Sequence, residues 1–220
     1  MKGNLYIVAT PIGNLKDITL RALETLNEVD LIACEDTRQT AKLLSHYKIK
    51  KPLISYHQHS KMQRVEQIID SLNNGQSVAL VSDSGTPTIS DPGRHLIEQA
   101  ITNRINIVPI PGPSAALSAY SVSGLSGKEF LFVGFLPNKK GRLTKLKEIS
   151  NCDKPVVIYE SAKRIKKLLN ELYREAGDRE VYLGRELTKV YEEHYRGKIS
   201  QLIDQVKEKG EFVVILEGKK

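Results

Sequence analysis

The chain has 220 residues, 40% of them hydrophobic and 27% charged, with a net charge of +7. This is an ordinary globular composition, long enough for one large domain or two of about 100 residues each. The longest apolar runs reach about six residues against the roughly 18 of a membrane span, Met1-Lys2-Gly3-Asn4 leads straight into a strand-like run, and Cys34 and Cys152 stand alone, so no membrane span, secretory leader or disulfide framework is expected and a cytoplasmic protein follows.

The first half alternates strand-like and helix-like segments. Residues 5–9 read as a strand that ends in Thr10-Pro11-Ile12-Gly13-Asn14. Ile18, Ala22, Leu23 and Leu26 then share one helical face behind a cap at Asp17 or Thr19. A strand over 31–34 stops at Glu35-Asp36-Thr37-Arg38, and the spacing predicts a helix over 40–47. A strand at 53–56 precedes the polar run Ser55-Tyr56-His57-Gln58-His59-Ser60-Lys61 and a helix over 62–72. The strand at 78–82 enters Val81-Ser82-Asp83-Ser84-Gly85-Thr86-Pro87-Thr88-Ile89-Ser90-Asp91-Pro92-Gly93, followed by a helix over 94–103. The strand at 107–110 enters Pro111-Gly112-Pro113-Ser114-Ala115 and a helix over 115–123. This alternation predicts a mostly parallel sheet flanked by helices.

Gly124-Leu125-Ser126-Gly127-Lys128 is the candidate linker. Beyond it, strands are expected at 130–135, 156–159, 181–186, 193–196 and 212–216, with a long helix over 162–176. The expected architecture is two α/β domains, 1–124 with a mostly parallel sheet and 125–220 with a mixed one, and a ligand cleft between them. Charge divides unevenly: residues 1–112 carry +1 and the remainder +6. A basic second half suits a polyanion such as RNA, although a solvated lysine-rich surface accounts for the charge equally well.

The loop from Val81 to Gly93 carries the most information. Its small and hydroxylated residues cannot fill a core, and its glycines and prolines impose an unusual backbone path. Four such loops at strand ends suggest one ligand site, since open α/β sheets bind ligands outside the carboxyl ends of their strands. Asp83-Ser84-Gly85-Thr86 matches the aspartic protease signature, but that chemistry needs two copies and the chain has one. No G-x-G-x-x-G follows the first strand and no phosphate-loop lysine motif occurs, which argues against dinucleotide and P-loop chemistry. His57 and His59 alternate on an extended segment but lack a third ligand at metal spacing, so no metal is expected and a polar loop touching substrate or phosphate is preferred. Glu35 and Asp36 can orient a substrate hydroxyl or accept its proton, or simply cap and pair with Arg38. Glu160-Ser161-Ala162-Lys163-Arg164 repeats that arrangement, and its cations oppose the helix dipole unless Arg164 or Lys163 meets an anion. Lys139, Lys140, Arg142 and Lys145 form a second basic cluster, suited to a phosphate backbone.

Taken in order, these segments resemble the ribosomal RNA small subunit methyltransferase I family of the tetrapyrrole methylase superfamily. They are Thr10 to Asp17, Glu35 to Arg38, Ser55 to His59, Val81 to Gly93 and Pro111 to Ala115. Gly134-Phe135-Leu136-Pro137, Tyr159-Glu160-Ser161 with Arg164, and Arg185-Glu186-Leu187-Thr188-Lys189 continue the series across nearly the whole chain. The resemblance implies 2′-O-methylation of a cytidine ribose in the decoding region of 16S rRNA with S-adenosyl-L-methionine as donor. It further implies a homodimer acting on the small ribosomal subunit. Carried over, the cofactor residues would be Thr10, Pro11, Gly13, Asp83, Ser84, Gly85, Thr86, Ile89, Pro111, Gly112, Ser114 and Ala115. Glu35 or Asp36 would handle the hydroxyl, with Arg38, Glu160 and Lys189 positioning substrate. His57, His59, Lys139, Arg142, Lys145 and Arg164 would contact RNA. Ser84 stands where the family more often has Ala, and members commonly continue past Gly218 into a small C-terminal extension. Methylation of a tetrapyrrole and a non-catalytic RNA-binding module are the alternatives.

Overall fold

Strands β1 (Asn4–Val8), β2 (Leu31–Cys34), β3 (Leu53–Ser55), β4 (Val78–Val81) and β5 (Asn106–Ile110) form a five-stranded sheet in the order β3-β2-β4-β1-β5. Every pairing in it is parallel. The computed structural model describes residues 1–57, 62–125 and 127–220. All four residues of β4 are buried, which is why its sequence is a continuous apolar run: helices cover both faces of a parallel sheet. One face packs Leu5, Val65, Ile68, Leu72, Leu80 and Leu96, and the other packs Val8, Leu26, Ile32, Leu44 and Val81.

The helices of this half are α1 (Leu20–Glu28), α2 (Thr37–His46), α3 (Met62–Asn73) and α4 (Arg94–Thr102). Of the two caps the sequence offers for α1, Thr19 is the one used: its hydroxyl accepts from the Ala22 amide at 3.1 Å. α2 begins three residues before the predicted start, because the Asp36 carboxylate caps it through the Arg38 amide at 2.8 Å.

The chain separates into two compact units, Met1–Ser114 and Ala115–Lys220. The division falls ahead of the 124–128 segment, of which Ser126 lies outside the described residues. α5 (Ala115–Ser123) therefore belongs to the second unit, where it packs against β7 (Val156–Ser161), β8 (Glu180–Arg185) and β10 (Glu211–Leu216). With β6 (Leu131–Phe135) and β9 (Glu193–Lys198) these strands form a sheet in the order β6-β7-β10-β8-β9. β6 and β7 are parallel and the other pairs antiparallel, so this sheet is mixed as expected.

α6 (Arg142–Ser150), α7 (Ala162–Ala176) and the short α8 (Ile199–Leu202) cover one face, around Leu146, Ile149, Ile158, Leu168, Leu172 and Val214. Residues of the alternate register, Val157, Tyr182, Val213 and Ile215, are buried too. The Tyr159 hydroxyl, in the same register, accepts from the Ala116 amide at 3.1 Å and ties α5 to that side. The sequence pattern does not predict α6: its buried stripe is Arg142, Leu146 and Ile149, and a stripe that starts with a buried arginine does not read as apolar periodicity. No helix among the described residues is long and apolar enough to cross a membrane.

Leu168 is fully buried under α7. Leu168→Ala is expected to lower the unfolding free energy by about 2–5 kcal/mol in urea titration, because the cavity relaxes only partly.

Candidate functional site

Five parallel strands place five carboxyl ends on one edge of the first sheet, and the loops that leave them are fastened together. Thr10 and Gly85 exchange two backbone hydrogen bonds, 2.9 and 3.1 Å, as an isolated antiparallel bridge between the loops after β1 and β4. The Thr10 hydroxyl donates to the Ser82 carbonyl at 3.1 Å, and the Ser82 hydroxyl donates to the Gly85 carbonyl at 3.1 Å. The Thr86 hydroxyl donates to the Pro113 carbonyl at 3.3 Å, bringing in the loop after β5. The Asp36 amide donates to Asp83 Oδ1 at 3.1 Å, bringing in the loop after β2. Four strand-end loops thus act as one framework, and the strands that carry them are consecutive neighbours.

The backbone of the framework leaves little choice of residue. Gly85 sits at φ +81° and Gly93 at φ +149°. A Cβ on Gly93 would lie 2.3 Å from Thr88 Cγ2 and 2.9 Å from Leu80 Cδ2. Thr88 itself is held at φ +73°, an unfavourable conformation for a β-branched residue and a form of strain that collects at ligand sites. A Cβ on Gly112 would come within 3.0 Å of Ala9 Cβ, so the β5 loop passes close over the end of β1. Thr10 and Gly85 are buried and hold the framework from within, whereas Gly13, Asp83, Ser84, Ile89, Pro111 and Gly112 are exposed. Pro11, Thr86, Ser114 and Ala115 are half-buried.

Electrostatically this edge is acidic. Burial first, then the neighbouring Asp83, raises the Glu35 carboxyl above its ordinary range, with His57 pulling it back. Asp91 is pushed up to about 6 by burial and then by Glu35, against a hydrogen bond from Ser82. Asp36 goes the other way, to about 2, because Arg38 donates to it from Nε at 3.1 Å and from Nη2 at 2.7 Å. Asp91 and Ser82 lie in the loop that the sequence marks, but their particular contacts, with Glu35 and Thr10, involve partners distant along the chain. Among the described residues, no group of three or more His, Cys, Asp and Glu side chains is placed to hold a metal ion. His59 lies outside the described residues.

In the second unit Glu160 is 1% exposed, and its Oε1 accepts from Arg164 Nε at 2.7 Å and from the Ser161 amide at 2.8 Å. Arg142 corrects the sequence expectation. It is 5% exposed, donates to Glu171 Oε2 at 2.6 and 2.9 Å and to the Pro137 carbonyl at 3.1 Å, and is closed to an RNA phosphate. A buried guanidinium that would have to leave its carboxylate partner to meet RNA is an internal fastener. Lys139 is exposed and Lys145 pairs with Glu148 at 2.8 Å. Lys189 bridges Glu186 at 3.0 Å and Glu211 at 2.9 Å, locking the β8–β9 loop, where Glu186 and Thr188 sit at φ +50° and +67°.

A family model described as Tetrapyrrole (Corrin/Porphyrin) Methylases matches residues 4–203. Ribosomal RNA small subunit methyltransferase I of Thermotoga maritima is 47% identical over 220 residues, 99% of this chain and 99% of that one. The chain belongs to the ribosomal RNA small subunit methyltransferase I family. The relative of the same name from Halalkalibacterium halodurans is 48% identical over 99% of this chain and 76% of its own length. A crystal structure of diphthine synthase shares the fold at TM-score 0.78 and 14% identity, covering 99% of this chain and 91% of that one. The motif series read from the sequence is therefore that of ribosomal RNA small subunit methyltransferase I, and the parallel first sheet with a mixed second sheet is the tetrapyrrole methylase fold.

Asp91 gives this family member a pH signature. Its folded-state carboxyl, at about 6, binds a proton more tightly than the ordinary carboxyl at 3.8, so ionising it destabilises the fold as pH rises between those values. Asp91→Asn is expected to raise the melting temperature at pH 7.5 and leave it nearly unchanged at pH 4, as followed by circular dichroism.

Proposed function

We propose that this protein transfers a methyl group from S-adenosylmethionine to the 2′-hydroxyl of a cytidine ribose in the decoding region of 16S rRNA, acting as a homodimer on the small ribosomal subunit. The observation that carries this reading is the acid-rich cradle at the carboxyl edge of the first sheet, in a chain 47% identical to a ribosomal RNA small subunit methyltransferase I. S-adenosylmethionine carries a sulfonium and an ammonium against one carboxylate, a net cation with an adenosine body. A loop framework that brings Glu35, Asp83 and Asp91 together suits its positive charge, and the close pass of Gly112 over Ala9 suits a flat group laid against backbone. Gly13, Asp83, Ser84, Thr86, Gly112 and Ser114 would hold it. When bound, it supplies an electrophilic methyl carbon on a good, neutral leaving group.

The chain's own residues then align the ribose oxygen, exclude water and take up a proton. Glu35 is the better proton acceptor of the two acids at the end of β2. Its raised carboxyl is the stronger base, while Asp36 is committed to Arg38 and to capping α2. Asp36 positions Arg38 at the rim of the site. The substrate nucleotide has to be single-stranded or splayed to reach such an edge.

Two measurements test the reading. Purified protein with tritiated S-adenosylmethionine and 30S subunits should label a single ribose of 16S rRNA, mapped by primer extension at limiting nucleotide. Label on a base, or on a porphyrinogen in preference to 30S subunits, would overturn it. Calorimetry showing no uptake of S-adenosylmethionine would leave a binding module instead. In single-turnover assays Glu35→Gln should slow methylation by about 10²- to 10⁴-fold, the usual contribution of a general base, whereas Asp36→Asn should slow it by less than about ten-fold.

A further inference from the structure

We infer that the carboxyl edge of β6 and β7 is the surface on which the second unit grips a single-stranded polynucleotide, with the Arg164 guanidinium on a phosphate and the Phe135 ring under a base. The substrate class rests on the function proposed above; the surface itself rests on geometry. β6 and β7 run parallel, so the loops that follow them leave from one edge. Leu136-Pro137-Asn138-Lys139-Lys140-Gly141 and Ser161-Ala162-Lys163-Arg164 together contain four cations and no acid. Lys139, Lys140 and Lys163 are exposed.

Beneath these cations lies a buried ionic frame that fixes the two loops to each other. Arg142, at the start of α6, holds the Pro137 carbonyl of one loop at 3.1 Å and sits 3.8 Å from Glu160 at the base of the other. Glu160 in turn holds Arg164 by Nε alone. The Ser161 hydroxyl, at the N-cap of α7, would ordinarily accept a first-turn amide; it accepts from Arg164 Nε at 3.2 Å instead. A cation in the first turn also opposes the helix dipole. Both departures serve one end: they hold the guanidinium in a set orientation with its side chain 29% exposed. The contacts made within the described residues engage Nε, which leaves the Nη1–Nη2 edge for a ligand, and that edge matches two phosphate oxygens.

Phe135 completes the surface. It ends β6, is 56% exposed, and is braced on one side by Tyr159 at 5.6 Å between ring centroids. Phe132 backs the same tyrosine at 5.1 Å. An exposed aromatic ring at the end of the strand that leads into Lys139 and Lys140 offers the two elements with which proteins hold single-stranded nucleic acid, a ring to stack a base and cations to track the backbone.

The test is filter binding of a mixed-sequence single-stranded oligoribonucleotide to the full chain across a range of salt concentrations. Arg164→Ala should weaken binding about ten-fold and flatten the log–log salt slope by about 0.7, the increment for one phosphate contact on a single strand. Phe135→Ala should weaken binding by roughly ten-fold with the slope unchanged, since stacking releases no counterion. Arg164→Lys should restore the slope without the full affinity. Lys50→Ala, which removes an exposed cation from the first unit, should change neither. Calorimetric uptake of S-adenosylmethionine by each variant reports that it is folded. Variants at Arg164 and Phe135 that bind RNA with wild-type affinity and slope overturn the inference, and do so whether or not the wild type methylates 16S rRNA. Loss of binding in both variants, in a protein that labels no rRNA, would uphold the surface and reject the proposed reaction. A wild type that binds no RNA overturns both.

Discussion

Two backbone hydrogen bonds between Thr10 and Gly85 run in the antiparallel sense at the end of a sheet that is otherwise parallel throughout. β1 and β4 are neighbours at the centre of that sheet, and on leaving it their chains would separate toward different helices. The bridge keeps them together for one more step and buries Thr10, whose hydroxyl then reaches Ser82. Gly85 has to adopt φ +81° to make the turn, a conformation that costs glycine little and other residues about 1 kcal/mol or more. Once the two central loops are fixed, Thr86 reaches Pro113 and Asp83 reaches the Asp36 amide. The acidic edge exists because of that chain of contacts, since Glu35 comes from the loop after β2 and Asp83 and Asp91 from the loop after β4.

The two units treat charge in opposite ways. In the second, the buried ions are matched: Arg142 with Glu171, Glu160 with Arg164, and Arg185 with Glu193 at 2.9 Å. Networks of this kind set geometry and contribute little net stability, because desolvation offsets most of the attraction. In the first unit, burial raises both Glu35 and Asp91, and unmatched acids add to it, Asp83 acting on Glu35 and Glu35 on Asp91, with His57 as a partial counterweight to Glu35. A fold under selection for stability alone would not gather carboxylates without cations to match. Local rules broken in this way are what functional sites look like.

Much of the first unit was readable because each of its physical requirements is local. A strand covered on both faces must be apolar at every position, and β4 is. Loops that face a ligand show their glycines, prolines and hydroxyls directly. What escaped reading depends on partners distant in sequence. Arg142 reads as a surface cation because nothing nearby in the chain announces Glu171 or Glu160, and for the same reason the sequence does not show α6. α5 has apolar residues all round, so periodicity could not say which sheet it covers; its packing against β7, β8 and β10 does. Asp91 sits in the most informative loop of the chain, yet its distinction comes from burial and then from Glu35, which only the sheet order brings near.

The repeated arrangement of strand, acid, helix and arginine shows how burial decides what an arginine is free to do. At the start of α2, Asp36 accepts from the Arg38 amide, from Nε and from Nη2, so acid and base face each other in solvent and satisfy one another. Such an exposed pair is worth little and leaves Arg38 with only part of its fork. At the start of α7 the acid is one residue earlier, inside the strand, and Glu160 is buried. From there it reaches only Nε of Arg164. The same pair of residue types then acts as a bracket, since the carboxylate is anchored below and the far edge of the guanidinium projects above. Moving the acid from the cap position into the end of the strand turns a self-satisfied surface pair into an oriented cation.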